Sequence, residues 1–194
     1  MNARRPLLLL ALALAGAAAP APADPAEPPA ARSAPIEMRD GWFYLDGEKF
    51  FINALGYEIG ARPGQHPYEA RGNEPQRVKE DMAAIKAAGF NAIRTWSELT
   101  EDELQMVQAS GLKVIFGIGI QPDQDFAAPE VVAGALAIVD DVLAYSRKYD
   151  CIIAYLIKNE PMPQHIQKVG AQATVDLWTQ MRDRIHREHP GIPV

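Results

Sequence analysis

The chain has 194 residues, with 19 Lys and Arg against 25 Asp and Glu, a formal charge of −6 and 48% apolar residues. That length holds one domain with a tail, and the apolar content is that of a globular protein rather than a disordered one. The acidic balance, with no Lys/Arg run beyond the first few residues, excludes non-specific nucleic-acid binding, and the single cysteine, Cys151, excludes an intrachain disulfide or a Cys-rich metal site.

The first residues have the form of a secretory signal. Arg4 and Arg5 are a basic start, Leu7 to Ala19 is an apolar stretch short for a bilayer span, and Ala21-Pro22-Ala23 is a small-residue cleavage pattern before Asp24. The alternative is an uncleaved membrane anchor. Cleavage after Ala23 removes two arginines, leaving 171 residues with a charge of −8. The sequence thus predicts a signal peptide over 1–23, a Pro/Ala-rich linker over 24–40 and a folded part over 41–194. Export makes the mature chain secreted or periplasmic, with no stable membrane association after cleavage.

Folded sequence is expected from Gly41. Trp42 to Leu45 and Lys49 to Phe51 flank Asp46-Gly47, the pattern of a β-hairpin. The second run continues through Ile52 to Gly56 as a first core strand. Pro75 opens a helix with Val78, Met82 and Ile85 on one face, and Gly89 stops it. Asn91 to Thr95 is a second strand. Thr100 with Glu103 forms a capping box for a helix carrying Leu104 and Val107, closed by Gly111. Leu112 to Ile118 is a third strand, apolar enough for burial on both faces. A third helix starts by Pro129 and carries Leu136, Val139 and Leu143 to about Tyr149. Cys151 to Ile157 is a fourth strand. A fourth helix holds Trp178, Met181 and Ile185, and Ile192-Pro193-Val194 begins a fifth strand.

Strands alternating with helices imply a parallel sheet with right-handed crossovers. Strand starts near residues 52, 91, 112 and 151 lie about 33 residues apart, so eight units need about 264 residues, close to the ~250 of a (β/α)8 barrel. Four units are present, so the chain is either an open, doubly wound sheet or the first half of a barrel. In both, functional groups gather after the strands' carboxyl ends. There stand Gly56-Tyr57-Glu58, Arg94-Thr95-Trp96-Ser97-Glu98, Gly117-Ile118-Gly119 and Asn159-Glu160-Pro161. Aromatic rings with Arg, Asn and carboxylates suit a sugar, whose ring stacks and whose hydroxyls bond.

The hairpin from Phe43 to Ala54, the strand Asn91-Ala92-Ile93-Arg94-Thr95-Trp96 and Asn159-Glu160-Pro161 after the fourth strand resemble clan A retaining glycoside hydrolases. That clan comprises (β/α)8 barrels including cellulases, β-mannanases, β-galactosidase-type enzymes and β-1,3-glucan-active enzymes. The resemblance spans roughly residues 42 to 189. It implies an α/β fold that is the first half, about four βα units, of a (β/α)8 TIM barrel preceded by a short β-hairpin. It also implies a retaining O-glycosyl hydrolase acting on β-linked glucan- or mannan-type carbohydrate, without a cofactor or metal. By it, Glu160 is the general acid/base, Asn159 bonds the substrate 2-hydroxyl, and Arg94 holds the nucleophilic carboxylate ionised and oriented. Glu160 as a helix-entry acid and Arg94 as a buried salt-bridge partner are the structural alternatives.

Trp96, Tyr57 and His66 are further substrate-binding candidates. Trp96 follows the second strand as a sugar platform or a packing residue. Tyr57 opens a long Gly-, Pro- and aromatic-rich loop that holds His66. His186 and His189 are taken as cations near a helix C-terminus, since no third metal ligand is evident. Lys158 has no assigned role. Retaining hydrolysis needs a second carboxylate about 5–5.5 Å from the first. In the resembled clan it ends the seventh strand, and none of Glu58, Glu98, Asp123 and Asp125 matches its place. The 194-residue chain alone is therefore expected to be inactive, and its open sheet edges favour association. Competing readings are a carbohydrate-binding protein without catalysis and an open α/β ligand-binding domain. No G-x-G-x-x-G phosphate loop surrounds Gly56 and Gly60 to favour the last.

Overall fold

The computed structural model describes residues 36–58, 75–121, 124–159 and 161–194. Strands β1 (Ile36–Arg39), β2 (Trp42–Leu45) and β3 (Glu48–Lys49) form an antiparallel sheet in that order. Both connections are Asp-Gly pairs at positive φ, Asp40-Gly41 at 51° and 75° and Asp46-Gly47 at 52° and 85°. Two consecutive left-handed residues are what a type I′ turn requires, and its twist matches that of the strands it joins. Cations cover the hairpin's rings: Arg39 lies 3.8 Å from the Tyr44 centroid and Lys49 4.6 Å from that of Trp42. Strand β1 thus falls within the stretch 24–40 that the sequence reads as a linker. Ile36 is 1% exposed and belongs to the core, but its strand has only one buried position, too little for an alternating signal.

The second sheet is parallel. Strands β4 (Ala54–Gly56), β5 (Ala92–Arg94), β6 (Lys113–Ile118) and β7 (Ile152–Ile157) alternate with α1 (Pro75–Ala87), α2 (Glu101–Ser110) and α3 (Pro129–Ser146), and α4 (Pro163–Val169) and α5 (Ala171–Glu188) follow. The spatial order β4-β5-β6-β7 is the chain order. This order separates the two architectures left open by the sequence. A doubly wound sheet reverses direction and covers both faces, whereas right-handed crossovers that always step the same way put every helix on one face. Consistent with a single layer, α1 packs on α2, α2 on α3 and α3 on α5. The sheet therefore has the construction of a half barrel, unclosed, with β4 and β7 at its edges among the described residues.

Local chemistry fixes the elements much as the sequence predicts. Val78, Met82 and Ile85 are the buried face of α1. The Glu103 amide donates to Thr100 Oγ1 at 3.3 Å and the Thr100 amide to Glu103 Oε2 at 2.7 Å, completing the capping box, and Gly111 ends α2 at φ 76°. Two differences are physical. Val114, Phe116 and Ile118 are fully buried, but Lys113 and Ile115 are only half-buried, because the helix layer covers one face of β6. Helix α4 escapes the sequence pattern because its seven residues bury none and so carry no apolar stripe. At the other edge the Tyr155 amide donates to Pro193 O at 2.9 Å, so the last residues run beside β7 without forming a strand.

The core below the sheet contains three polar side chains relevant to pH. Tyr155 shares a 2.8 Å hydrogen bond with Ser146, and its ring meets Phe116 and His189 edge-on, both at 5.9 Å. Burial pushes the Cys151 thiol up to about 12, leaving it an inert core residue. His189 is 2% exposed rather than a cation at a helix end. Burial, with Arg147, pushes its imidazole below the usual histidine range against the opposing effect of Asp150. His186 instead bonds Ile192 O at 3.0 Å. With its folded value depressed, His189 binds protons more readily in the unfolded chain. Its contribution to stability is thus complete above about pH 6.5 and is lost as pH falls from there through the lowered value. We expect the urea midpoint to fall between pH 7.5 and 5.5, and His189→Gln to remove part of that fall.

Candidate active site

The carboxyl ends of the four parallel strands face the same way, so the residues after them form one rim. Register sets which side chains share a face. Gly56, Arg94, Ile115 and Ala154 lie in one lateral row, on the side opposite Ile93, Val114 and the helices. From that row Arg94 Nη2 donates to Asn159 Oδ1, spanning β6. The Arg94 guanidinium also lies 4.7 Å from the Trp96 ring centroid, a cation–π contact. The indole in turn rests on Gly56, where a β-carbon would fall 2.5 Å from its Cη2 atom.

Glycine and a strained residue make this approach feasible. A β-carbon on Gly117 would lie 2.6 Å from Thr95 O and 2.7 Å from Trp96 C, so only glycine lets the chain after β5 settle onto β6. The Gly117 amide donates to Thr95 Oγ1 at 2.9 Å. The Gly119 amide donates to Glu98 Oε1 at 2.6 Å, tying the same loop to the end of β6. Lys158, which the sequence left without a role, adopts φ 57° directly before Asn159. Its amide donates to Ile118 O at 3.2 Å and its ammonium to Ile120 O at 3.3 Å, holding the turn that leads out of β7. Left-handed non-glycine residues cluster at functional sites because the surroundings must over-determine them.

Of the predicted site residues, Arg94, Trp96 and Asn159 come together. Trp96 is packed between Gly56 and Arg94. Tyr57 does not join them: strand alternation turns it to the helix side, where its hydroxyl donates to Asp81 Oδ2 of α1 at 2.7 Å. Glu160, His66 and Asp123 lie outside the described residues. Asp125 accepts the Ala127 amide at 3.0 Å as a turn residue ahead of α3. Glu58, a strand-end carboxylate that does not match the nucleophile's place, is buried beside the loop that follows β5. It is 8% exposed, its Oε1 accepts the Ser97 hydroxyl at 2.8 Å, and its Oε2 is buried without a hydrogen-bond partner among the described residues. The available signal was period two: Glu58 follows Gly56 by two positions and so returns to its face. A cavity of about 950 Å³ between α1 and α2 is lined by Met82, Ala83 and Met106. It touches none of the strand ends, so volume alone does not mark the site.

No family model matches the chain, and no curated protein is similar to it. Solved structures do share its fold. A β-glucuronidase from Ruminococcus gnavus, in complex with a C6-substituted uronic isofagomine, gives a TM-score of 0.67 at 16% identity, covering 81% of this chain and 26% of that one. A β-glucuronidase from Parabacteroides merdae gives 0.66 at 16% identity, over 80% of this chain and 19% of that one. A glycosyl hydrolase family 2 member from Bacteroides cellulosilyticus gives 0.57 at 16%, over 77% and 19%. The fold is thus one found in glycoside hydrolases, and the likeness is not particular to cellulases or mannanases. The chain spans about a fifth to a quarter of those proteins.

The contact between Gly56 and Trp96 gives a direct handle on this rim. The atom opposed to position 56 is the far end of a side chain, so Gly56→Ala should displace the indole rather than unfold the sheet. The expected result is a changed near-UV circular dichroism and tryptophan emission with the far-UV spectrum retained. An unchanged tryptophan environment would contradict the packing described.

Proposed function

We propose that the protein carrying this chain is an exported retaining glycoside hydrolase of the clan A type, acting on β-linked glucan- or mannan-type carbohydrate. The observation that carries the reading is the Arg94 to Asn159 hydrogen bond at the strand ends, one residue before Glu160, in a sheet whose fold is found in glycoside hydrolases. Glu160 serves as acid/base: it protonates the departing glycosidic oxygen, then takes a proton from the incoming water or sugar hydroxyl. Asn159, oriented by Arg94, bonds the 2-hydroxyl, an interaction that strengthens as the ring gains oxocarbenium character. Arg94 also supplies positive charge for the nucleophilic carboxylate. That carboxylate is none of the acids in these 194 residues, so the chain alone turns over no substrate.

The test uses the full-length protein with aryl β-glucosides and β-mannosides. Glu160→Gln should lower kcat by about 10²–10⁴-fold, the range of general acid/base catalysis, with folding intact. An unchanged kcat would remove Glu160 from the mechanism, and turnover by the isolated 194 residues would refute the proposal that the nucleophile lies outside them. Export through residues 1–23 predicts that the protein recovered from the periplasm or medium begins at Asp24. N-terminal sequencing that finds Met1 there instead would favour the membrane anchor.

A further inference from the structure

We infer that Glu58 is a substrate-binding carboxyl that accepts a hydroxyl of a neutral sugar and discriminates against a uronic acid; this assignment rests on the glycosidase reading and deepens it. Three observations converge. First, Glu58 is more than nine-tenths buried, yet among the described residues only one of its oxygens is used, by the Ser97 hydroxyl at 2.8 Å, while Oε2 has no hydrogen-bond partner there. Buried acceptors are nearly always satisfied, so an unused one is an exception that calls for an explanation. Secondly, the position is the right one. Tyr57 turns to α1, whereas Glu58, two residues beyond Gly56 at the end of β4, meets Ser97 of the loop that follows β5. Its partner Ser97 is the residue after Trp96, whose ring rests on Gly56 and under the Arg94 guanidinium. Contacts therefore run without a break from Glu58 through Ser97 and Trp96 to Arg94 and Asn159.

Thirdly, the chemistry of the free oxygen is selective. A neutral pyranose offers hydroxyl donors around a ring that suits an aromatic neighbour, which matches a carboxyl acceptor beside Trp96. A uronic acid offers a carboxylate in place of one hydroxymethyl group. Set against Glu58 it has no hydrogen to donate, and two carboxylates in one confined site repel. The cation of the cluster, Arg94, lies at the other end of this run of contacts, held by Asn159 and Trp96. Sharing a fold with β-glucuronidases therefore does not bring their substrate with it.

The experiment is calorimetric binding, with parallel turnover, on the full-length protein using 4-nitrophenyl β-D-glucoside, β-D-mannoside and β-D-glucuronide. The glucoside and glucuronide differ only at C6. The better neutral glycoside should bind at least about tenfold more tightly than the glucuronide, and Glu58→Gln should weaken it about tenfold while bringing the two within a few-fold. The loss should fall on KM more than on kcat. Ser97→Ala, which removes the hydroxyl bonded to Oε1, should shift affinities in the same direction by less, and serves if Glu58→Gln fails to fold. Glu58→Gln should keep or raise the thermal midpoint, because a half-satisfied buried carboxyl is not a structural support. A glucuronide bound as tightly as the neutral sugars, affinities unmoved by either variant, or a sharp loss of stability with affinities retained would each overturn the assignment. Binding that responds to Glu58→Gln without any turnover would remove the hydrolase reading and leave this one. Turnover indifferent to Glu58 would do the reverse, and no binding to any of the glycosides would overturn both.

Discussion

Arg94 reaches Asn159 across an intervening strand, and much of the structure can be read as what that reach requires. Arg94 ends β5 and Asn159 follows β7, so β6 must present little at its end. Gly117 meets that need by letting the Thr95-Trp96 backbone lie directly on it. Gly56 does the same for the indole one strand further out. Small residues at the strand ends are therefore not weak points in a sheet; they are the space in which a planar guanidinium, an amide and an aromatic ring can meet.

Beneath that rim the energetics are conventional. One sheet face buries Ile93, Val114, Phe116, Ile118 and Tyr155 against helices whose apolar stripes include Val78, Met82, Leu104, Val107, Leu177, Met181 and Ile185. Burial of this kind is non-directional and sets the sheet's existence rather than its chemistry. The opposite face carries Arg94 and half-buried Ile115, Ala154 and Leu156. The division of labour between the faces is what the unreversed strand order produces.

Much of the fold was legible in the sequence because its signals are local. The capping box at Thr100, the left-handed Gly111, the Asp46-Gly47 turn and the Val78-Met82-Ile85 stripe each act over a few residues, and each recurs in the structure. Strand order is not local, which is why half barrel and doubly wound sheet remained alternatives until the pairing of β4 to β7 decided between them. Ile36 and α4 were missed for want of a repeating pattern. In the site, Arg94 and Asn159 stood out by residue type at strand ends. Tyr57 and Glu58 are neighbours in sequence but turn to different partners, Asp81 of α1 and Ser97 after β5, which residue type alone does not reveal.

Lys158 shows how such an arrangement ties sequence choice to geometry. A left-handed lysine is held at a cost of about 1–3 kcal/mol by bonds to Ile118 and Ile120 at the end of β6. Glycine or asparagine would relax that local penalty, and a β-branched residue would aggravate it. The backbone bend leading to Asn159 is thus a selective filter of its own: substitutions at 158 are screened for the dihedral angles they accept before anything about charge or size is asked of them.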